Sequence, residues 1–132
     1  MDLKDLTPNL EDIVVTLKHP TTDEVLKNED GTDMTITLLS GYSKKYKKLQ
    51  HEQISKRLTK AQNSKNQEID YSEIEDATVE VLSKATKSWN LTFGGTNPKL
   101  TAARAISMYE DVFWIRNQLE EALSENLSFT TA

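Results

Sequence analysis

The chain has 132 residues, no cysteine, a formal net charge of −5 and only 36% hydrophobic residues. That length holds one domain, and a chain of this size buries roughly two thirds of its unfolded surface, enough for a modest core. The absence of cysteine excludes disulfides, thiolate metal sites and cysteine nucleophiles. The start, Met1-Asp2-Leu3-Lys4-Asp5-Leu6, is charged and carries no apolar core of signal-peptide length. No apolar run approaches the roughly 20 residues that span a bilayer, so the composition predicts a cytoplasmic protein with much exposed surface and no membrane contact.

Charge falls in blocks. Residues 1–43 carry −6, residues 44–65 carry +7 and residues 66–132 carry −6. A basic segment between two acidic ones either packs beside them or meets an acidic partner.

Residues 1–12 read as an acidic lead-in. Ile13-Val14-Val15-Thr16-Leu17 is β-branched and stops at His19-Pro20, which predicts a strand. A turn-rich stretch tightens at Asn28-Glu29-Asp30-Gly31. Met34-Thr35-Ile36-Thr37-Leu38 then alternates apolar and polar, the period of a half-buried strand. The two strands pair antiparallel in this reading, and because an isolated hairpin is marginal in water, it must lie on the helices or on another chain. Gly41 ends this unit, residues 1–42.

Residues 43–132 form the helical part. Ser43 caps a helix to about Lys65 with an apolar stripe at Tyr46, Leu49, Ile54, Leu58 and Ala61 and lysines over much of the remainder. Residues 63–67 read as a loop. Asp70 with Glu73 resembles a capping box. It opens a helix with Tyr71, Ile74, Thr78, Val81 and Ala85 on one face, flanked by Ala77 and Leu82, ending near Lys87. Residues 89–100 form a turn broken by Gly94-Gly95 and Asn97-Pro98. Thr101 then caps a helical span to Leu123. One long helix fits, but the stripe shifts phase near Tyr109, and Glu110-Asp111 suits the first turn of a new helix. Two helices with a tight kink are the favoured reading, and residues 124–132 are a tail. The expected fold is α+β, mainly α: an N-terminal β-hairpin followed by three or four amphipathic helices in a single domain.

The residues offer little chemistry. His19 stands at a strand end and His51 among lysines, without ligand spacing for a metal, so turn and surface roles are expected. The carboxylates form no isolated pair in an apolar setting, as a general acid needs. Gly94-Gly95-Thr96 lacks the flanking strand and Lys-Ser/Thr of a phosphate loop and reads as a plain turn. No cofactor, metal or catalytic residue is expected. The basic helix could follow a phosphate backbone, but it has only Tyr46 for stacking and acidic flanks, so nucleic acid is a weak alternative partner. Protein binding is the stronger reading. Trp89, Phe93, Tyr109, Phe113 and Trp114 exceed what one short helical hairpin can bury, and adjacent Phe113 and Trp114 must face different ways. The candidate partner contacts are Tyr109, Phe113 and Trp114, with Leu58 and Val81 from the two earlier helices. Trp114→Ala is expected to harm partner binding more than folding, and Trp89→Ala the reverse.

Two parts of the chain resemble a known family. Leu17-Lys18-His19-Pro20-Thr21-Thr22-Asp23-Glu24 with Asp30-Gly31, Met34-Thr35-Ile36-Thr37-Leu38 and Gly41-Tyr42-Ser43 resembles the start of small tail-morphogenesis proteins of tailed bacteriophages. Trp89-Asn90-Leu91-Thr92, Leu100-Thr101 and the helix through Ile115 and Leu119 is similar to their C-terminal half. The family is the tail assembly chaperones. The resemblance implies a non-enzymatic chaperone in the infected host's cytoplasm, absent from the mature virion. It would keep the helical tape measure protein soluble until tail tube subunits polymerise around it. Contact with the tail tube protein and a homo-oligomer are further implied partners. A small structural tail protein of the virion is the alternative.

Overall fold

A computed structural model describes residues 11–63 and 71–126. The elements run β1 (Ile13–Thr16), β2 (Thr35–Leu38), α1 (Lys44–Asn63), α2 (Tyr71–Ala85), β3 (Thr86–Asn90), α3 (Ala102–Asp111) and α4 (Phe113–Asn126). This is an α+β fold, mainly α, with its β-hairpin at the N-terminal end. The lead-in over 1–10, the loop at 64–67, Asp70 and the tail beyond 126 lie outside the described residues, as do the side chains of Arg57, Lys60, Ala61, Tyr71 and Glu73.

The hairpin forms as the alternation predicts, with Ile13 opposite Leu38, Val15 opposite Ile36 and Thr16 opposite Thr35. A third strand that sequence reading missed completes the sheet. β3 pairs antiparallel with β2, setting Trp89 opposite Ile36 and Ser88 opposite Thr37, and the register slips between Thr37 and Leu38. The expected helix to Lys87 is therefore corrected: α2 stops at Ala85, whose carbonyl accepts from Leu39 N at 2.9 Å. Thr86 closes that helix by donating its hydroxyl to Leu82 O at 2.7 Å. The chain then enters a strand, which threonine and tryptophan favour. Trp89 is thus a strand residue rather than the first residue of a turn.

One sheet face packs on the helices through Val15, Leu17, Ile36 and Leu38, all buried, while Val14 on the other face is exposed. That one-sided burial is the normal habit of an antiparallel sheet. Beyond β1, the Gln118 side chain on α4 accepts from Lys18 N at 3.0 Å and donates to Lys18 O at 2.8 Å. A side-chain amide thereby serves one residue of the chain as a partner strand would.

The helical layer closes over this face. Thr101 caps α3 as expected, its hydroxyl accepting from Arg104 N at 3.2 Å. α3 buries Ala105, Met108 and Tyr109, and α4 buries Ile115, Leu119 and Leu123. The two are separate helices, as favoured, broken at Val112 with φ −110° and ψ 76°. The break falls after Asp111, so Glu110 and Asp111 end α3 and do not open α4, correcting the macrodipole argument. At the far end, Asn126 Oδ1 accepts from Gly41 N at 2.9 Å and from the Ser40 hydroxyl at 3.2 Å, pinning the end of α4 to the β2–α1 turn.

Candidate partner-binding site

α1 begins where Ser43 accepts from Tyr46 N at 3.1 Å, the predicted cap. Tyr46 is buried and Leu49 packs against the core, but Ile54 and Leu58 from the same expected stripe are 54% and 60% exposed. α2 behaves alike. Its deeply buried side chains are Val79, Leu82 and Ala85, whereas Ile74 is 39% exposed and Val81 only partly covered. Of the stripe read from the sequence, Ala85 is buried as expected, whereas Ile74 is exposed and Thr78 and Val81 are only partly covered, so its middle is displaced from the buried line by a fraction of a turn. It forms an open apolar face.

Those open faces adjoin. Tyr46, Gln50, Gln53 and Ile54 of α1, with Ala77, Thr78, Val81 and Leu82 of α2, line a trough of about 510 Å³, and Glu120, Leu123 and Ser124 of α4 complete it. α1 and α4 are its walls and α2 its floor. Leu58 continues the α1 wall one turn beyond Ile54, and Ile74 continues the floor one turn before Thr78.

Ion pairs tie each wall to the floor. Glu80 on α2 accepts from Lys56 on α1 and from Lys84, each at 2.9 Å. Lys56 first, then Lys84 and Gln53, hold the Glu80 carboxyl down at about 2, well below its ordinary range. Arg116 on α4 stands 4.0 Å from Glu75 on α2. Burial raises the Tyr46 phenol, with Glu120 across the trough adding to the shift and a hydrogen bond to Gln50 opposing it.

Neutralisation of the basic block within the fold is partial. Lys56 finds Glu80, but Lys44, Lys45, Lys47 and Lys48 are exposed and form no ion pair with any described residue. They crowd the first turns of α1, where the helix dipole disfavours cations and where no acid offsets them.

The other predicted contacts lie elsewhere. Tyr109 is fully buried, its hydroxyl 2.6 Å from Thr86 Oγ1, so it is a core residue, correcting its expected surface role. Burial pushes its phenol up to about 12, against the smaller opposing effect of the Thr86 bond. Phe113 is 61% exposed, and Trp114 is half-buried against the core, so Phe113 is the outward member of the pair. Trp114 instead helps line a smaller apolar pocket of about 220 Å³ with Leu26, Met34, Phe93, Met108 and Ile115. Phe113 stands at the opposite end of α4 from Leu123. The structure thus joins Val81 and the Leu58 side of α1 in one site but separates them from the aromatic group.

Sequence reading missed Gln50, Gln53, Glu120, Leu123 and Ser124 as trough residues. The spacing Lys44, Lys47, His51, Ile54, Leu58, alternating three and four, was the available signal for the outer edge of α1. It also missed buried Asn28, which accepts from the Thr92 hydroxyl at 2.6 Å and donates to Thr32 Oγ1 at 3.2 Å and Asn90 O at 3.4 Å. His19 has the expected turn role: its Nδ1 accepts from Thr21 N and Thr22 N at 3.1 and 3.2 Å. Gly94 and Gly95 both have positive φ, 61° and 79°, in a tight turn closed by Phe93 and Thr96, with open space where a Cβ would stand. Backbone conformation, rather than room for a ligand, requires glycine there.

Among the described residues no group of three His, Asp or Glu side chains is placed to hold a metal, and no helix is long and apolar enough to cross a membrane. Comparison with protein-family models, with curated proteins and with solved structures found no match to this chain.

Proposed function

We propose that this protein is a tail assembly chaperone of a tailed bacteriophage, a non-enzymatic binder that holds the tape measure protein soluble in the host cytoplasm. The observation that carries the reading is the trough between α1, α2 and α4, where Ile54, Leu58 and Ile74 stay exposed beside partly covered Val81. Exposed aliphatic side chains beside a furrow of this kind suit helix-in-groove binding, in which one apolar helix face is laid between receptor helices. A long helical client offers many such faces. The resemblance of residues 17–43 and 89–119 to the tail chaperones supplies the identity of the client.

Co-expression with the tape measure protein of the same phage tests the reading. Raised solubility of that protein and its co-purification are expected, and Leu58→Asp should abolish both while the variant stays folded by circular dichroism. No change in client solubility would overturn the proposal. Mass spectrometry of purified particles should find the chain absent, and its presence would favour a structural tail protein instead.

The exposed lysines Lys44, Lys45, Lys47 and Lys48 favour one second reading, a nucleic-acid binder. It requires affinity for DNA or RNA that falls steeply with salt. Absence of binding at low salt removes it.

A further inference from the structure

The order β1-β2-β3 makes β1 and β3 the edges of the sheet, and the hydrogen bonds fix which backbone groups face off it. Leu17 N donates to Met34 O at 2.9 Å, in register with the pairs Ile13–Leu38 and Val15–Ile36, so Ile13, Val15 and Leu17 point their backbone groups at β2. Val14, Thr16 and Lys18 alternate with them and turn their N–H and C=O groups outward. For Lys18 the returning chain gives the same direction, because Leu26 N and Glu24 O bond to Leu17 O and His19 N on either side of it. The outward groups of Val14 and Thr16 have no partner among the described residues. Lys18 has one. Gln118 Oε1 accepts from its N–H at 3.0 Å and Gln118 Nε2 donates to its C=O at 2.8 Å. Donor and acceptor on one planar amide match what a facing residue of an antiparallel strand would offer. Two residues further on, Pro20 has no N–H at all. The other edge is treated alike. Thr35 faces Asn90, so Leu91 turns its carbonyl off the sheet, and Asn97 donates its side-chain amide to that carbonyl at 2.9 Å.

We infer that Gln118 guards the β1 edge: it occupies the place an incoming strand needs, and its loss lets β1 pair antiparallel with β1 of a second copy. An uncovered edge is a template for another chain. With Gln118 in place, an added strand can pair along Val14 and Thr16 but stops at Lys18, and so short a pairing holds little. Without it the run extends through Lys18. A second copy is the partner because it brings the same edge, and Val14-Val15-Thr16 is β-branched and uncharged throughout. A two-fold pairing sets these residues against their own counterparts and covers exposed Val14. The helix aims the guard: buried Ile115 and Leu119 hold α4 on the sheet and leave Gln118 directed at its edge. The trough lies on another flank of α4, with Glu120 and Ser124, so the guard is independent of what fills it.

Amide hydrogen exchange on the full parent chain tests the starting arrangement. The Lys18 amide should be protected at least about tenfold more than those of Val14 and Thr16. Gln118→Ala, checked by circular dichroism, should then gain a concentration-dependent dimer in sedimentation equilibrium beyond any association of the parent. The Val14 and Thr16 amides should become protected in step with it. Adding Thr16→Pro should cancel the gain, because the N–H it removes faces off the sheet and the bonds between β1 and β2 are kept. Equal protection of the three amides in the parent would overturn the inference. So would a Gln118→Ala chain that associates no more than the parent, or an association that Thr16→Pro leaves untouched. Loss of the fold in Gln118→Ala would make the residue a structural support and overturn it as well.

Discussion

Tyr109 shows how a side chain of mixed character is decided by its surroundings. Its ring is fully buried between sheet and helices, and its hydroxyl reaches Thr86, the residue that ends α2 and starts β3. Tyr109→Ala should therefore cost about 3 to 5 kcal/mol of stability in denaturant melts, the range for deleting a large buried aromatic. Tyr109→Phe should cost about 1 kcal/mol, a single hydrogen bond, because Thr86 keeps its bond to Leu82 O. The raised phenol gives a pH signature. Its contribution is whole below the ordinary value of 10 and is lost as pH rises toward about 12, because the unfolded chain ionises first. Glu80 has the opposite sign. Its lowered carboxyl stabilises the fold above about 4.5, and that stability is lost as pH falls toward about 2. Acid titration of thermal midpoints should show a shallower loss in Glu80→Gln than in the parent.

At the scale of elements, the starts of α1 and α3 were legible because capping is local. Ser43 and Thr101 each accept from the backbone three residues on, as their sequence neighbourhoods predict. Thr101→Ala should lower stability by about 1 kcal/mol, and Thr101→Ser should restore most of it. The helix ends were less legible. α2 stops at Ala85 because the next five residues join β2, and pairing with a strand some fifty positions earlier leaves no mark in the local pattern. The break at Val112 has the same character. Acidic residues at 110 and 111 suit the start of a helix, yet they sit at an end because packing of Met108 and Tyr109 below and Ile115 above sets the chain path. The adjacent aromatics give a direct contrast. Phe113→Ala should change the melting temperature little, whereas Trp114→Ala should destabilise by about 2 kcal/mol or more, since only the second ring packs on the core.

Over the whole molecule, the balance of charge and apolar surface is uneven. The sheet and all four helices share one core, while α1 and α2 also leave aliphatic side chains exposed beside an open trough. Leu58→Asp should leave stability within about 0.5 kcal/mol of the parent by chemical denaturation, because the side chain buries little in the free protein. The same substitution should be decisive for partner binding, and that pairing of effects separates a docking surface from a weak core.

The sequence by itself determined the antiparallel pairing of the hairpin, the approximate spans of the helices, the caps at Ser43 and Thr101 and the absence of thiol chemistry. Periodicity of two or of three to four, capping and composition are local properties that the chain carries wherever it goes. Only the tertiary structure decided which apolar stripe became core and which became trough. Val79 replaced Ile74 as a buried residue of α2, and Tyr109 was drawn inward while Phe113 was left outside. A rotation of a helix by part of a turn costs nothing in local pattern but changes which side chains meet another element. Burial is a relation between elements, and so it was legible only once they were packed.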